Sequence, residues 1–156
     1  MQPSLALFLL VALILLLLSA GIEDVRTREI ANGKNAAIAL LAPLWWVASG
    51  LPLWPGVAIQ LAVAVLVFGL FVAAFWIGQM GGGDVKLIGA VALWLPPELL
   101  LWMLVLMSLL GGALTLLMLA DKRLRKRKEL PEIPYGVAIV LAALLVIREP
   151  ILNHLP

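Results

Sequence analysis

Long uncharged, apolar stretches follow one another along this chain, separated by short polar segments. The first runs from Pro3 to Ile22, twenty residues, enough at about 1.5 Å per residue to cross a hydrocarbon layer of about 30 Å. The next, Asn35 to Gly83, holds 49 uncharged residues and is broken by Ser49-Gly50-Leu51-Pro52-Leu53-Trp54-Pro55, where Gly and Pro mark a turn. It divides into two predicted spans, Asn35 to Val47 and Pro55 to Ile77. A fourth, shorter span runs from Asp84 to Leu95 and stops at Pro96-Pro97. The fifth covers Leu99 to Ala120 and the sixth Tyr135 to Ile147. Spanning strands would show weak alternation in short segments instead. In an apolar solvent a helix satisfies every backbone N–H within its own segment. The pattern predicts an all-α, polytopic membrane bundle of six helices, with residues 1–156 forming one membrane-embedded domain.

Composition agrees and narrows the chemistry. Hydrophobic residues make up 64% of the chain and charged residues 13%, against about 45–50% and about 25% in soluble domains. There is no cysteine, and the one histidine is His154. Disulfide frameworks, Cys-based zinc sites and thiol catalysis are thereby excluded, as are the HExxH metalloprotease arrangement and a mid-chain Ser/His pair. Any proton chemistry must come from carboxylates, and neither a metal nor a cofactor is expected.

The basic residues set the expected orientation. With six spans, segments 23–34, 78–86 and 121–134 share one side of the membrane. They hold ten of the eleven Lys and Arg residues, leaving Arg148 opposite. An excess of Lys and Arg marks cytoplasmic loops, so these segments are expected in the cytoplasm and both termini outside. Trp45, Trp46, Trp54, Trp94 and Trp102 fall near the predicted outer boundary, where an interfacial aromatic belt belongs. Met1-Gln2-Pro3-Ser4 lacks the positive charge that opens a cleaved leader, so the first span is expected to be retained. The basic run from Lys122 to Lys128 sits directly between two spans. It is read as an anchor against anionic lipid, with no nucleic-acid partner.

Nine acidic residues remain, most of them in polar segments that water solvates. Asp24 directly follows the first span, and Asp84 follows Gly81-Gly82-Gly83 and opens the fourth. The topology alone brings these two carboxylates, sixty residues apart, to the same depth on the same side. Asp84 also has a plain structural reading, as an N-cap complementing the helix dipole. For Asp24 that reading is a surface acid closing a helix. Against the cap reading of Asp84, the fourth span covers only about 18 Å, so the glycine segment is expected to dip below the headgroups. Irregular backbone survives there only where protein or a watery cavity receives it. Two carboxylates sharing a site cannot both ionise easily. Such a pair offers a general base for water and a general acid for a leaving amine, titrating as one unit.

Gly81-Gly82-Gly83-Asp84, followed by Val85-Lys86-Leu87, resembles the Gly-x-Gly-Asp signature of the type IV prepilin peptidases, aspartic proteases of the membrane. Asp24-Val25-Arg26-Thr27-Arg28-Glu29-Ile30-Ala31-Asn32 resembles that family's first-aspartate motif, Asp-x-Arg-x-Arg-x-Ile-Pro-Asn, with Ala31 in place of proline. Pro134-Tyr135-Gly136 resembles a third family segment. The order, spacing and shared membrane side of the three make the resemblance specific. Larger family members carry a cysteine-rich cytoplasmic insertion and N-methylate the cleaved pilin. Without that insertion the chain resembles the short form associated with tight-adherence or Flp-type pili.

The resemblance implies a peptidase that cuts the basic leader from prepilins or pseudopilins at the cytoplasmic face of the bacterial inner membrane, without methylation. It implies Asp24 and Asp84 as the catalytic pair, and Gly81, Gly82 and Gly83 as the place where the extended substrate approaches the backbone. The implied partners are the substrate's apolar helix, membrane lipid and the pilus assembly machinery. Lys86 is expected to snorkel to the headgroups, Arg26 and Arg28 to orient the loop or bind headgroups, and Tyr135 to sit at the interface. The residues leave two other readings open: a transport component using the same aspartates as ion or proton relays, and a scaffold in which both acids are only caps.

Overall fold

The computed structural model describes residues 3–125 and 135–152. The described residues form six α-helices: α1 (Pro3–Thr27), α2 (Asn32–Ser49), α3 (Ala58–Trp76), α4 (Gly82–Ala92), α5 (Pro97–Arg125) and α6 (Tyr135–Leu152), with a wide turn over Leu53–Val57 before α3. Every predicted span is thus a helix. Among the described residues, three stretches are long and apolar enough to cross a membrane: Ser4–Thr27, Leu53–Trp76 and Pro97–Asp121. The protein is an all-α integral membrane bundle.

Helix ends depart from the hydropathy boundaries in an informative way. α1 continues to Thr27, so Glu23, Asp24 and Arg26 ride on its last turn. Charged residues at a helix end can leave the apolar layer without breaking the helix. Hydropathy finds the edge of the apolar run, not the end of the hydrogen-bond ladder. Asp121 to Arg125 likewise belong to α5, whereas 126–134 of the predicted loop 121–133 and its flank lie outside the described residues.

α4 is the buried centre. It packs against α2, α3 and α6, while α1 packs on α2 and α6, and α5 on α6. Val85, Leu87, Ile88, Ala90, Val91 and Ala92 are all buried. With eleven residues, or about 16 Å of rise, α4 is too short to cross an apolar layer of about 30 Å, so its last carbonyls need partners from the protein itself. Other helices supply the donors. Gln60 Nε2 donates to both Ala92 O and Leu95 O at 2.7 Å, and Trp46 Nε1 donates to Leu93 O at 2.7 Å. Trp94, just past the helix, donates to Ile38 O at 2.8 Å and stacks on Trp45.

These contacts correct the expected aromatic belt. Trp94 is only 4% exposed, whereas Trp54 and Trp102 face outward at 81% and 58%. The Trp46 N–H is drawn inward to Leu93 O, a carbonyl at the end of α4 that would be costly to leave unpaired, while the Trp94 N–H is drawn inward to Ile38 O within α2.

Candidate active site

Asp24 is held from two directions. Its own helix closes behind it: Arg28 N–H donates to Asp24 O at 3.0 Å, and Arg28 takes the left-handed φ of 59° that ends α1. Its neighbour Glu23 accepts from Ala31 N–H at 2.9 Å and pairs with Lys34 at 3.0 Å. Lys34 also donates to Ser19 O at 3.0 Å. The chain between α1 and α2 is therefore strapped back onto the last turn of α1. On the other side, the backbone N–H of Val137, in the first turn of α6, donates to Asp24 Oδ2 at 3.1 Å. The first-turn N–H groups of a helix have no partner of their own, so a carboxylate is a natural acceptor. Asp24 is 4% exposed, which departs from the plain reading of a surface acid.

Gly136 makes that contact possible. A Cβ there would lie 2.8 Å from Asp24 Cγ and Oδ2 and 2.9 Å from Ile30 Cδ1, closer than carbon and oxygen can pack. The third motif of the sequence thus supplies the wall over the first aspartate, though Pro134 itself lies outside the described residues.

Asp84 sits in the first turn of α4 and is half-buried. Gly81 is extended, while Gly82 and Gly83 are already helical, so the glycine run is shorter as a loop than its sequence suggests. A Cβ on Gly83 would lie 3.3 Å from Ile30 N; the glycine allows the strapped loop to close onto α4.

Asp24, Asp84 and all three glycines line one cavity of about 300 Å³, together with Arg28, Glu29, Ile30 and Asn32. Asp84 lies outside the three long spans, and its carboxyl is pushed up to about 7. Burial is the main cause, followed by the negative charge of Asp24, with a backbone N–H bond from Gly81 pulling the other way. The cavity therefore holds two acids, one of which keeps its proton close to neutrality.

The other singled-out residues fall into place around this cavity. Arg28 lines it, whereas Arg26 lines a separate groove along α1. Tyr135 lines a neighbouring apolar cavity with Phe71, Met80 and Met107. Lys86 departs from the snorkelling expectation. Although exposed, it reaches sideways and donates to Asn32 Oδ1 at 2.8 Å, because its place on α4 faces α2.

A profile of the type IV leader peptidase family matches residues 10–116. The chain belongs to that family. The match takes in Asp24, the triple glycine and Asp84, and ends within α5, before the start of α6 that covers Asp24. No curated protein and no solved structure matches the chain. Family membership makes this protein a leader peptidase-type hydrolase of the membrane.

Two contributors escaped the sequence reading. Asn35 is buried and donates to Gly83 O at 3.2 Å; standing next to Lys34 at the head of an apolar run, it gave little signal. The Val137 N–H had none, since every residue but proline carries one.

Proposed function

We propose that this member of the family is a prepilin leader peptidase in which Asp24 and Asp84 form the hydrolytic pair. The observation that supports this most directly is the single cavity onto which both acids open, beside a glycine-lined wall. In the proposed reaction one carboxylate takes a proton from water as the oxygen attacks the scissile carbonyl. The other, protonated, carboxyl donates to the departing amine, so the proton count balances and the pair returns to its starting state. The two titrate together, so neither role is assigned to one residue. Gly81, Gly82 and Gly83 border the path of the extended substrate.

The proposed substrates are prepilins or pseudopilins of the type IV or Flp kind, with a basic leader ahead of an apolar helix; membership of the leader peptidase family supports a prepilin. That helix lies in the bilayer against the bundle. The basic residues at the ends of α1 and α5 favour a cytoplasmic site in the bacterial inner membrane with both termini outside. Methylation is not part of the proposed activity, and no cofactor takes part.

Co-expression with a Flp-type prepilin tests the reading. The wild type yields the shortened pilin, and Asp24→Asn and Asp84→Asn each abolish it while the protein still accumulates. Intact processing by either variant removes the aspartate pair from the mechanism.

A further inference from the structure

Two polar contacts join the start of α2 to the start of α4, one on each side of Asp84. Asn35 Nδ2 donates to Gly83 O at 3.2 Å, one residue before the acid. Lys86 Nζ donates to Asn32 Oδ1 at 2.8 Å, two residues after it. Asn32 and Asn35 stand three apart in the first turn of α2 and so share a face. We propose that Asn35 and the Asn32–Lys86 pair are positioning residues, a two-point clamp that fixes the first turn of α4, and with it Asp84, relative to Asp24. The proposal rests on the reading of Asp24 and Asp84 as the reacting pair.

Asn35 carries the argument because its presence is otherwise hard to account for. It is 5% exposed, and its Oδ1 is buried without a hydrogen-bond partner. A buried, unpaired acceptor is unfavourable, and a leucine of similar volume would pack against the apolar core without that penalty. What only the amide supplies is the bond to the Gly83 carbonyl. Lys86 is equally specific. An exposed lysine ordinarily gains most by keeping its ammonium in water, yet this one meets a single side-chain oxygen on the neighbouring helix.

The far side of the clamp is fixed as well. α2 begins where Glu23 holds Ala31 N–H and Lys34, and Glu23 is the chain neighbour of Asp24. The first turn of α2 is thus tied to α1 beside one aspartate and to α4 around the other. Its packing against both helices makes it the shared reference for the two carboxyl groups. Small displacements of a reacting group cost large factors in rate, about a hundredfold for about 1 Å.

The test is kinetic, on the full chain in detergent with a full-length Flp-type prepilin as the probe. Asn35→Leu and Lys86→Met each remove one contact. Each is expected to lower kcat about ten- to hundredfold while KM stays within about twofold and the thermal midpoint holds. Lys86→Arg keeps a donor within reach of Asn32 and retains the wild-type kcat. Asn32→Ala combined with Lys86→Met lowers kcat no further than the single change does. A kcat loss that merely tracks loss of folded protein, failure of Lys86→Arg to restore it, or additive losses in the double variant would reduce the contacts to packing and overturn the clamp. Should Asn35→Leu fail to fold, the exposed Lys86 carries the same test. Asp24→Asn and Asp84→Asn run alongside. If they still cleave, the pair and the clamp fall together. If they are inactive while Asn35→Leu and Lys86→Met cleave at the wild-type rate, the clamp alone falls.

Discussion

The backbone N–H of Val137 donates to Asp24 Oδ2 at 3.1 Å across 113 positions of sequence. One end of α6 is thereby pinned to one end of α1, over an acid that the sequence places in a polar segment. The bond needs Gly136, whose missing side chain is the space that the Asp24 carboxyl occupies.

Gly136→Ala is therefore expected to separate α6 from Asp24. The new methyl would sit 2.8 Å from the carboxyl group, and overpacking of this kind costs about 1–3 kcal/mol. Cleavage should fall further than stability does, because the displaced group is Asp24 itself. Parallel measurement of the unfolding midpoint and of kcat separates the two effects.

The activity should decline as pH rises through about 7. Burial, and then the charge of Asp24, push the Asp84 carboxyl up to about 7. Below that pH the pair holds its one working proton; above it the proton leaves and the general acid is lost. A kcat/KM profile between about pH 5 and pH 9 checks this. A flat alkaline side would remove the raised carboxyl from the rate-determining chemistry.

Asp84→Asn should stabilise the protein in a pH-dependent manner. The folded carboxyl titrates at about 7 instead of 3.8, so folding favours its neutral form. The wild type loses stability as pH climbs from about 4 to about 7, after which the loss is constant. Asparagine has no such loss. The variant should match the wild type near pH 4 and unfold at a higher temperature near pH 8, while cleaving nothing. Equal midpoints at both pH values would contradict the burial of the charge.

Gln60→Leu should destabilise the bundle without touching the cavity. It strips the donor from Ala92 O and Leu95 O, both bound at 2.7 Å. A buried carbonyl left unpaired costs about 1–3 kcal/mol. Denaturation in mixed micelles should show the loss, with kcat per folded molecule unchanged.

Much of this architecture is legible in the chain. Uncharged run length predicts every helix, and the alternation of sides brings Asp24 and Asp84 together before any coordinate is known. Less legible is what lies at right angles to the helices. Trp46 and Trp94 have the composition of a membrane belt, yet the packing of α2 beside the end of α4 turns both N–H groups inward, to Leu93 O and Ile38 O. Gln60 is a lone amide in an apolar run and Asn35 stands at the head of one, after Lys34; a one-dimensional pattern cannot name the carbonyls they meet. The end of α1 is missed for a related reason. Its last turn is charged yet still helical, held by the strap from Glu23 to Ala31.

The shortness of α4 bears on how the protein is made. A segment whose terminal carbonyls are met by Gln60 and Trp46 cannot leave the translocon for lipid by itself, since those groups would meet only hydrocarbon. α4 is therefore expected to settle in the bilayer only together with α2 and α3, which carry its donors. Membrane insertion and assembly of the acid-lined cavity would then be coupled, with α6 closing over Asp24.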